Sequence, residues 1–152
     1  MSNKTEHRFE SRRRARRRAL QALYQWHLTG QDVGEILTQF HEEQDFSNVD
    51  TELFTSLVRK VSVGQADIDA KIEPFLDRPL VQLDVIEHVI LSIGAYELLH
   101  SIEVPYQVVI DEAINLTKRY GAEQAHSFIN AVLDKAAKQW RAPASVSAFN
   151  PS

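Results

Sequence analysis

Two groups of residues in this chain have types and spacings that carry recognisable chemistry. Arg12, Arg13, Arg14, Ala15, Arg16, Arg17 and Arg18 place 6 arginines in 7 positions. A guanidinium is planar, donates two parallel hydrogen bonds to a phosphate and stacks on exposed bases, so this run suits a polyanion such as RNA. The plainer reading is a solvated basic end that adds only solubility. The second group is a pair of Glu-x-x-His motifs, Glu97/His100 and Glu123/His126. On facing helices, with two further glutamates, such motifs would hold a di-iron centre and make a carboxylate metalloenzyme. Glu123 follows a helix break at Gly121, however, and the spacing arises easily by chance among 6 histidines, so surface polar residues are the preferred reading.

Other catalytic signatures are absent. His41-Glu42-Glu43 lacks the second histidine of a zinc-protease motif, and the chain has no G-x-S-x-G, Walker A or G-x-G-x-x-G sequence. Asp111-Glu112 opens a helix, where carboxylates favour the dipole without any catalytic role. Cysteine is absent, which removes thiol nucleophiles and disulfides and agrees with a reducing compartment. The expectation is a non-enzyme without a metal or cofactor. It is expected in the cytoplasm and off the membrane, since no apolar run approaches the ~20 residues needed to span a bilayer.

The elements that position the arginines read as helices almost throughout. Ser11 is placed to cap a first helix that stops at Thr29-Gly30, with Ala15, Ala19, Ala22, Leu23 and Trp26 as its apolar stripe. Val33, Ile36, Leu37 and Phe40 mark a second helix, and Asp50 caps a third that ends at Gly64. A fourth carries Ile68, Ile72, Phe75 and Leu76 and is interrupted by Pro74. From Asp84 to about His100 the chain is apolar on nearly every side, as in a buried central helix. Two more helices follow, one from Pro105 to Tyr120 and one carrying Ala125, Phe128, Ile129, Val132, Leu133 and Ala136.

The expected architecture is all-α, with about seven helices in two small bundles. Residues 1–10 read as a flexible arm, and residues 11–141 as one helical domain. That domain has a three-helix lobe (11–64) and a four-helix lobe (65–141), and 142–152 reads as a disordered tail. Residues 1–18 carry 8 Lys/Arg against 2 Asp/Glu, whereas the remainder carries 9 against 19 and the chain sums to −4. A basic end on an acidic body implies an anionic ligand at one place and a basic partner at another. Charge crowding from Arg8 onward predicts that the first turns order with a partner. Leu20 and Tyr24 lie about half a turn from the core stripe. They are read either as packing against the neighbouring lobe or as a protein-binding patch.

Arg12-Arg13-Arg14-Ala15-Arg16 followed by Ala19-Leu20-Gln21-Ala22-Leu23-Tyr24 resembles the opening of the NusB antitermination-factor family. The resemblance continues in order through Glu87, Ala95-Tyr96-Glu97-Leu98, Val104-Pro105-Tyr106 and Ile110-Asp111-Glu112-Ala113. It then takes in Thr117-Lys118, Tyr120-Gly121 and Phe128-Ile129-Asn130-Ala131-Val132-Leu133-Asp134, spanning about residues 12–138. It implies two helical bundles without enzymatic activity. It also implies binding of single-stranded boxA-like RNA together with the small-subunit ribosomal protein NusE. The complex, with other Nus factors, lets RNA polymerase read through terminators in ribosomal RNA operons.

By the same resemblance Arg12, Arg13, Arg14 and Arg16 match the RNA-contacting motif, and Phe128 a position near RNA. Tyr24 and Glu87 match positions used against NusE, and Leu20 adjoins them. Arg17 and Arg18 are extra cations. Phe75 stands where tyrosine is common, Gln124 and Ser127 where an acidic and a basic residue near the RNA are frequent, and Ser92 where many relatives carry arginine. The competing readings are a protein-binding helical adaptor and an RNA-binding accessory of ribosomal RNA maturation.

Overall fold

Asp32, Asp50 and Asp84 each start a helix by the same local chemistry. Each side chain accepts a hydrogen bond from the backbone N–H three residues on, at Glu35, Leu53 and Glu87. The computed structural model describes residues 2–141, and these form seven α-helices with no strand among the described residues. The helices are α1 (Ser2–Thr29), α2 (Val33–Glu43), α3 (Thr51–Val63), α4 (Gln65–Ile72), α5 (Val85–His100), α6 (Tyr106–Tyr120) and α7 (Ala125–Trp140). Short 3-10 turns occupy Glu73–Phe75 and Leu80–Gln82. The tail 142–152 lies outside the described residues. The chain divides at Gly64 into two compact units.

The first unit holds α1–α3. α1 packs mainly on α3, burying Ala15, Ala19, Ala22 and Leu23 on one side and Phe54, Leu57, Val58 and Val61 on the other. Gly30 ends α1 with φ of 68°, a conformation that a Cβ disfavours. The start of α1 differs from expectation. The helix begins at Ser2, so residues 2–10 are helical, and Ser11 lies within the helix and is not its cap. The Ser11 hydroxyl donates to the Arg8 carbonyl at 2.9 Å, and its own carbonyl accepts the Asp50 N–H at 3.0 Å. Once the later turns are fixed by packing, each added residue gains a bond without a new nucleation cost, so the helix extends past the body.

The second unit holds α4–α7 around α5. Val89, Ile90, Leu91, Ile93, Ala95 and Leu98 are all buried, consistent with a helix contacted by α4, α6 and α7. Gly94 lets α7 approach closely, since a Cβ there would lie 2.8 Å from a Leu133 methyl carbon. The fourth helix stops at Ile72, and Phe75 stands on the 3-10 turn imposed by Pro74. The C-terminal end of α5 is closed from a distance. Arg141 donates to the carbonyls of Glu97, Leu98 and Ser101 at 3.0 Å each, and also to that of Val104. One cation thus gathers the carbonyls at and just beyond the last turn, among them Leu98, and meets the negative end of the dipole. Arg141→Ala is expected to cost about 2–3 kcal/mol, the scale for lost charged hydrogen bonds to partly buried carbonyls. Urea denaturation checks this as a lower midpoint at unchanged m-value.

Candidate nucleic-acid and protein interfaces

The arginine run divides its guanidiniums between the body of the first unit and solvent. Arg12 pairs with Asp50 at 3.6 Å, the residue that caps α3. Arg14 donates to the Asn48 carbonyl at 3.4 Å and Arg18 to the Asp45 carbonyl at 3.3 Å. Arg18 also stands over the Phe46 ring at 5.3 Å, and Phe46 packs edge-on against buried Phe54 at 4.9 Å. These contacts hold the 45–50 loop along α1. The Asp45 carboxylate is itself held below its usual pKa, chiefly by the Ser47 backbone N–H. Arg13 pairs with Glu10 at 3.9 Å and lies over Phe9 at 5.1 Å. Arg17 takes no part in the loop contacts.

Two expectations on α1 need correction. Arg16 is only 3% exposed, so it is part of the packed side of the helix and not a free cation for a ligand. Leu20 is 1% exposed and cannot form a surface patch, whereas Tyr24 is 36% exposed and remains available.

In the second unit Phe75, Gln124 and Phe128 come together. With Asp77, Ser127, Ala131, Val132 and Lys135 they line a cleft of about 350 Å³. Trp140 backs Phe75 edge-on at 5.6 Å. Sequence reasoning missed Arg78, whose guanidinium lies 4.1 Å above the Phe128 ring. Asp77 orients it by accepting from Nε at 2.8 Å, which lowers the Asp77 pKa; Asp77 and the nearby charge of Glu87 favour the charged arginine. A base entering this cleft meets a planar cation stacked on an aromatic ring. The only sequence signal was an Asp-Arg-Pro stretch in a turn, which carries no periodicity.

Glu87 closes a capping box with Asp84. Its backbone N–H donates to the Asp84 carboxylate at 2.7 Å, and its own carboxylate accepts the Asp84 N–H at 3.3 Å. It stays half-exposed. Ser92 is buried, accepting from Gln65 at 2.9 Å and donating to the His88 carbonyl at 2.7 Å. The two Glu-x-x-His motifs do not assemble. Glu97 is 1% exposed while His100 is exposed, and the His126 ring faces the Glu123 backbone carbonyl at 3.3 Å. No group of three or more metal-ligating side chains converges among the described residues. Nor is any helix among them long and apolar enough to cross a membrane.

The fold and these sites define an all-helical protein with an arginine-lined helix and an aromatic cleft carrying its own cation, two surfaces suited to a polyanion. The sequence profile of the NusB family matches residues 13–138, and the chain belongs to that family. The transcription antitermination protein NusB of Xanthomonas oryzae pv. oryzae (strain PXO99A) is 45% identical over 130 residues, covering 86% of this chain and 83% of the relative. The structure of T. maritima NusB superposes with a TM-score of 0.77 at 31% identity, over 89% of this chain and 96% of that one. A structure of the antitermination factors NusB and NusE in complex with double-stranded RNA gives 0.76 at 30% identity, over 84% and 96%.

The division of the arginines has a measurable consequence. Arg14→Ala with Arg18→Ala is expected to destabilise the protein by about 1 kcal/mol through the freed loop. Arg17→Ala should stay within about 0.5 kcal/mol of the parent. Urea unfolding of both variants makes the comparison. The Asp77–Arg78 pair predicts a pH effect. Because the folded Asp77 pKa is lowered, its pairing is intact above the ordinary carboxylate range and is lost as pH falls through the lowered value. In Arg78→Ala, Asp77 should titrate in the ordinary range, as followed by carboxyl NMR.

Proposed function

We propose that this chain is a non-catalytic, cytoplasmic antitermination factor that binds boxA-like single-stranded RNA together with NusE. In this role it promotes read-through by RNA polymerase, with other Nus factors, in ribosomal RNA operons. The observation that carries the reading is the α1 arginine run, which still offers guanidinium edges beyond those spent on the 45–50 loop. Arg12, Arg13, Arg14 and Arg17 supply phosphate contacts, and the phosphates compete with Asp50 and Glu10 for Arg12 and Arg13. Phe75, Gln124 and Phe128 supply the base-reading part, because aromatic faces select unstacked bases over a closed duplex. A related NusB and NusE in complex with double-stranded RNA supports NusE as partner and RNA as the class of ligand. Tyr24 and Glu87 are the residues for the basic ribosomal protein, one an exposed aromatic and the other a carboxylate with capacity left after its capping bond.

Binding of boxA-like RNA is to be measured against a scrambled strand and a duplex, with and without NusE, over a salt series. Preference for the boxA-like strand that strengthens with NusE is the expected result. Each phosphate contact removed should flatten the salt dependence by about 0.7 in slope for a single strand, so Arg13→Ala with Arg17→Ala should lose about 1.4. Equal binding to all three RNAs under every condition would reduce α1 to a generic basic helix.

A further inference from the structure

The first turns of α1 are the part of this helix that the shared family segment, starting at residue 13, does not include. From Asn3 to Phe9 every residue is exposed, although the backbone is helical. The charges are sorted across this projection. Lys4, Arg8 and Arg12 recur every four residues, so they form one row, with neighbours about 6 Å apart along the axis at 1.5 Å per residue. Glu6 and Glu10 fall on the opposite side, and Glu10 is drawn toward Arg13. Lys4 and Arg8 form no ion pair among the described residues. One turn before Arg12 and Arg13 stands Phe9, an aromatic that is 43% exposed, with Arg13 over its ring at 5.1 Å. A helix end kept only for solubility gains nothing from an exposed phenyl ring.

We infer that this projection is an additional single-strand RNA surface, with Lys4 and Arg8 on successive phosphates and Phe9 as a stacking platform. It lengthens the RNA footprint beyond the segment gripped by the arginine run. The inference rests on the RNA-binding reading above. Single-stranded RNA is the occupant favoured by the charge row and by its continuity with Arg12, where the proposed phosphate contacts begin. Cations placed in register meet the backbone, and one aromatic beside them accepts a base of any identity. The projection therefore adds affinity and length, and it adds no sequence preference.

The test uses the full chain with NusE and three RNAs, a short strand and two extended forms of it. The short one is a boxA-like strand; the others are the same strand extended by several nucleotides of mixed sequence, at one end or the other. Lys4→Ala with Arg8→Ala keeps the helix, because alanine is the better helix former. This double variant should lose about 1.4 in salt slope on one extended strand and nothing on the short one. Phe9→Ala should weaken the same extended complex from several-fold to about a hundredfold, the range for one stacked base. Circular dichroism confirms that helix content is kept. If the parent binds RNA and neither variant differs from it on either extended strand, the projection is no RNA surface. Loss of NusE binding with RNA contacts intact would overturn it equally, in favour of a protein-binding helix end. If the parent itself fails to bind any of the strands, the fault lies in the RNA-binding reading and this surface falls with it.

Discussion

Six arginines in seven positions repel one another on one helix, and supplying acceptors to several of them organises the first unit. Like charges one turn apart destabilise a helix. Here the 45–50 loop supplies carbonyls to Arg14 and Arg18 and a carboxylate to Arg12. The loop is in turn fixed by those arginines, by the Asp50 N–H bond to Ser11 and by the Phe46 ring packed on Phe54. Asp50 then caps α3, the main packing partner of α1. The charged surface offered to a polyanion and the packing of α1 on α3 therefore depend on the same side chains.

This double use changes how substitutions in the run should be read. A lost phosphate contact and a loosened loop both weaken RNA binding, but only the second lowers stability. Salt slope reports the first because it counts released counterions, whereas unfolding reports the second. Arg16 belongs wholly to the structural share, since its side chain is buried. A single basic motif thus contains residues of opposite kind, which residue type alone does not separate.

Much of the fold was legible because helices announce their ends. Asp50, Gly30 and Gly64 act through local geometry that involves no distant residue, and the all-round apolar segment at α5 needs only burial to explain it, whereas the Asp32 and Asp84 caps emerged with the structure. The upstream half-turns of α1 were not legible. Ser11 has the residue type of a cap, yet its groups are spent within the helix and on the loop. Arg16 and Leu20 were misplaced for a related reason. Arg16, Ala19, Leu20 and Leu23 share i, i+3, i+4, i+7 spacing, so periodicity alone assigns the arginine to the apolar side. Its charge argued for the opposite, and packing prevailed. For the cleft, Phe75, Gln124 and Phe128 came from family resemblance, whereas Arg78 sits in a turn whose position only the folded chain defines.

The second unit shows how a cation can be provided where the resemblance led elsewhere. The resemblance pointed to an arginine near Ser92, but here the Ser92 hydroxyl is buried, bonded to Gln65 and the His88 carbonyl, and Gln65 also bonds Asp69, which contacts the His88 ring at 2.7 Å. That hydroxyl is spent within the second unit and is not presented to a phosphate. Arg78 instead brings a guanidinium to the cleft, over the Phe128 ring and hydrogen-bonded to Asp77. Its position is preorganised by an ion pair in one direction and a ring face in the other, so less side-chain freedom is lost when a base stacks on it. The same pairing partly neutralises the charge, which weakens long-range attraction while leaving the stacking plane intact. In the proposed function the cleft thereby offers a base a stacking surface, and α1 holds the strand by its phosphates.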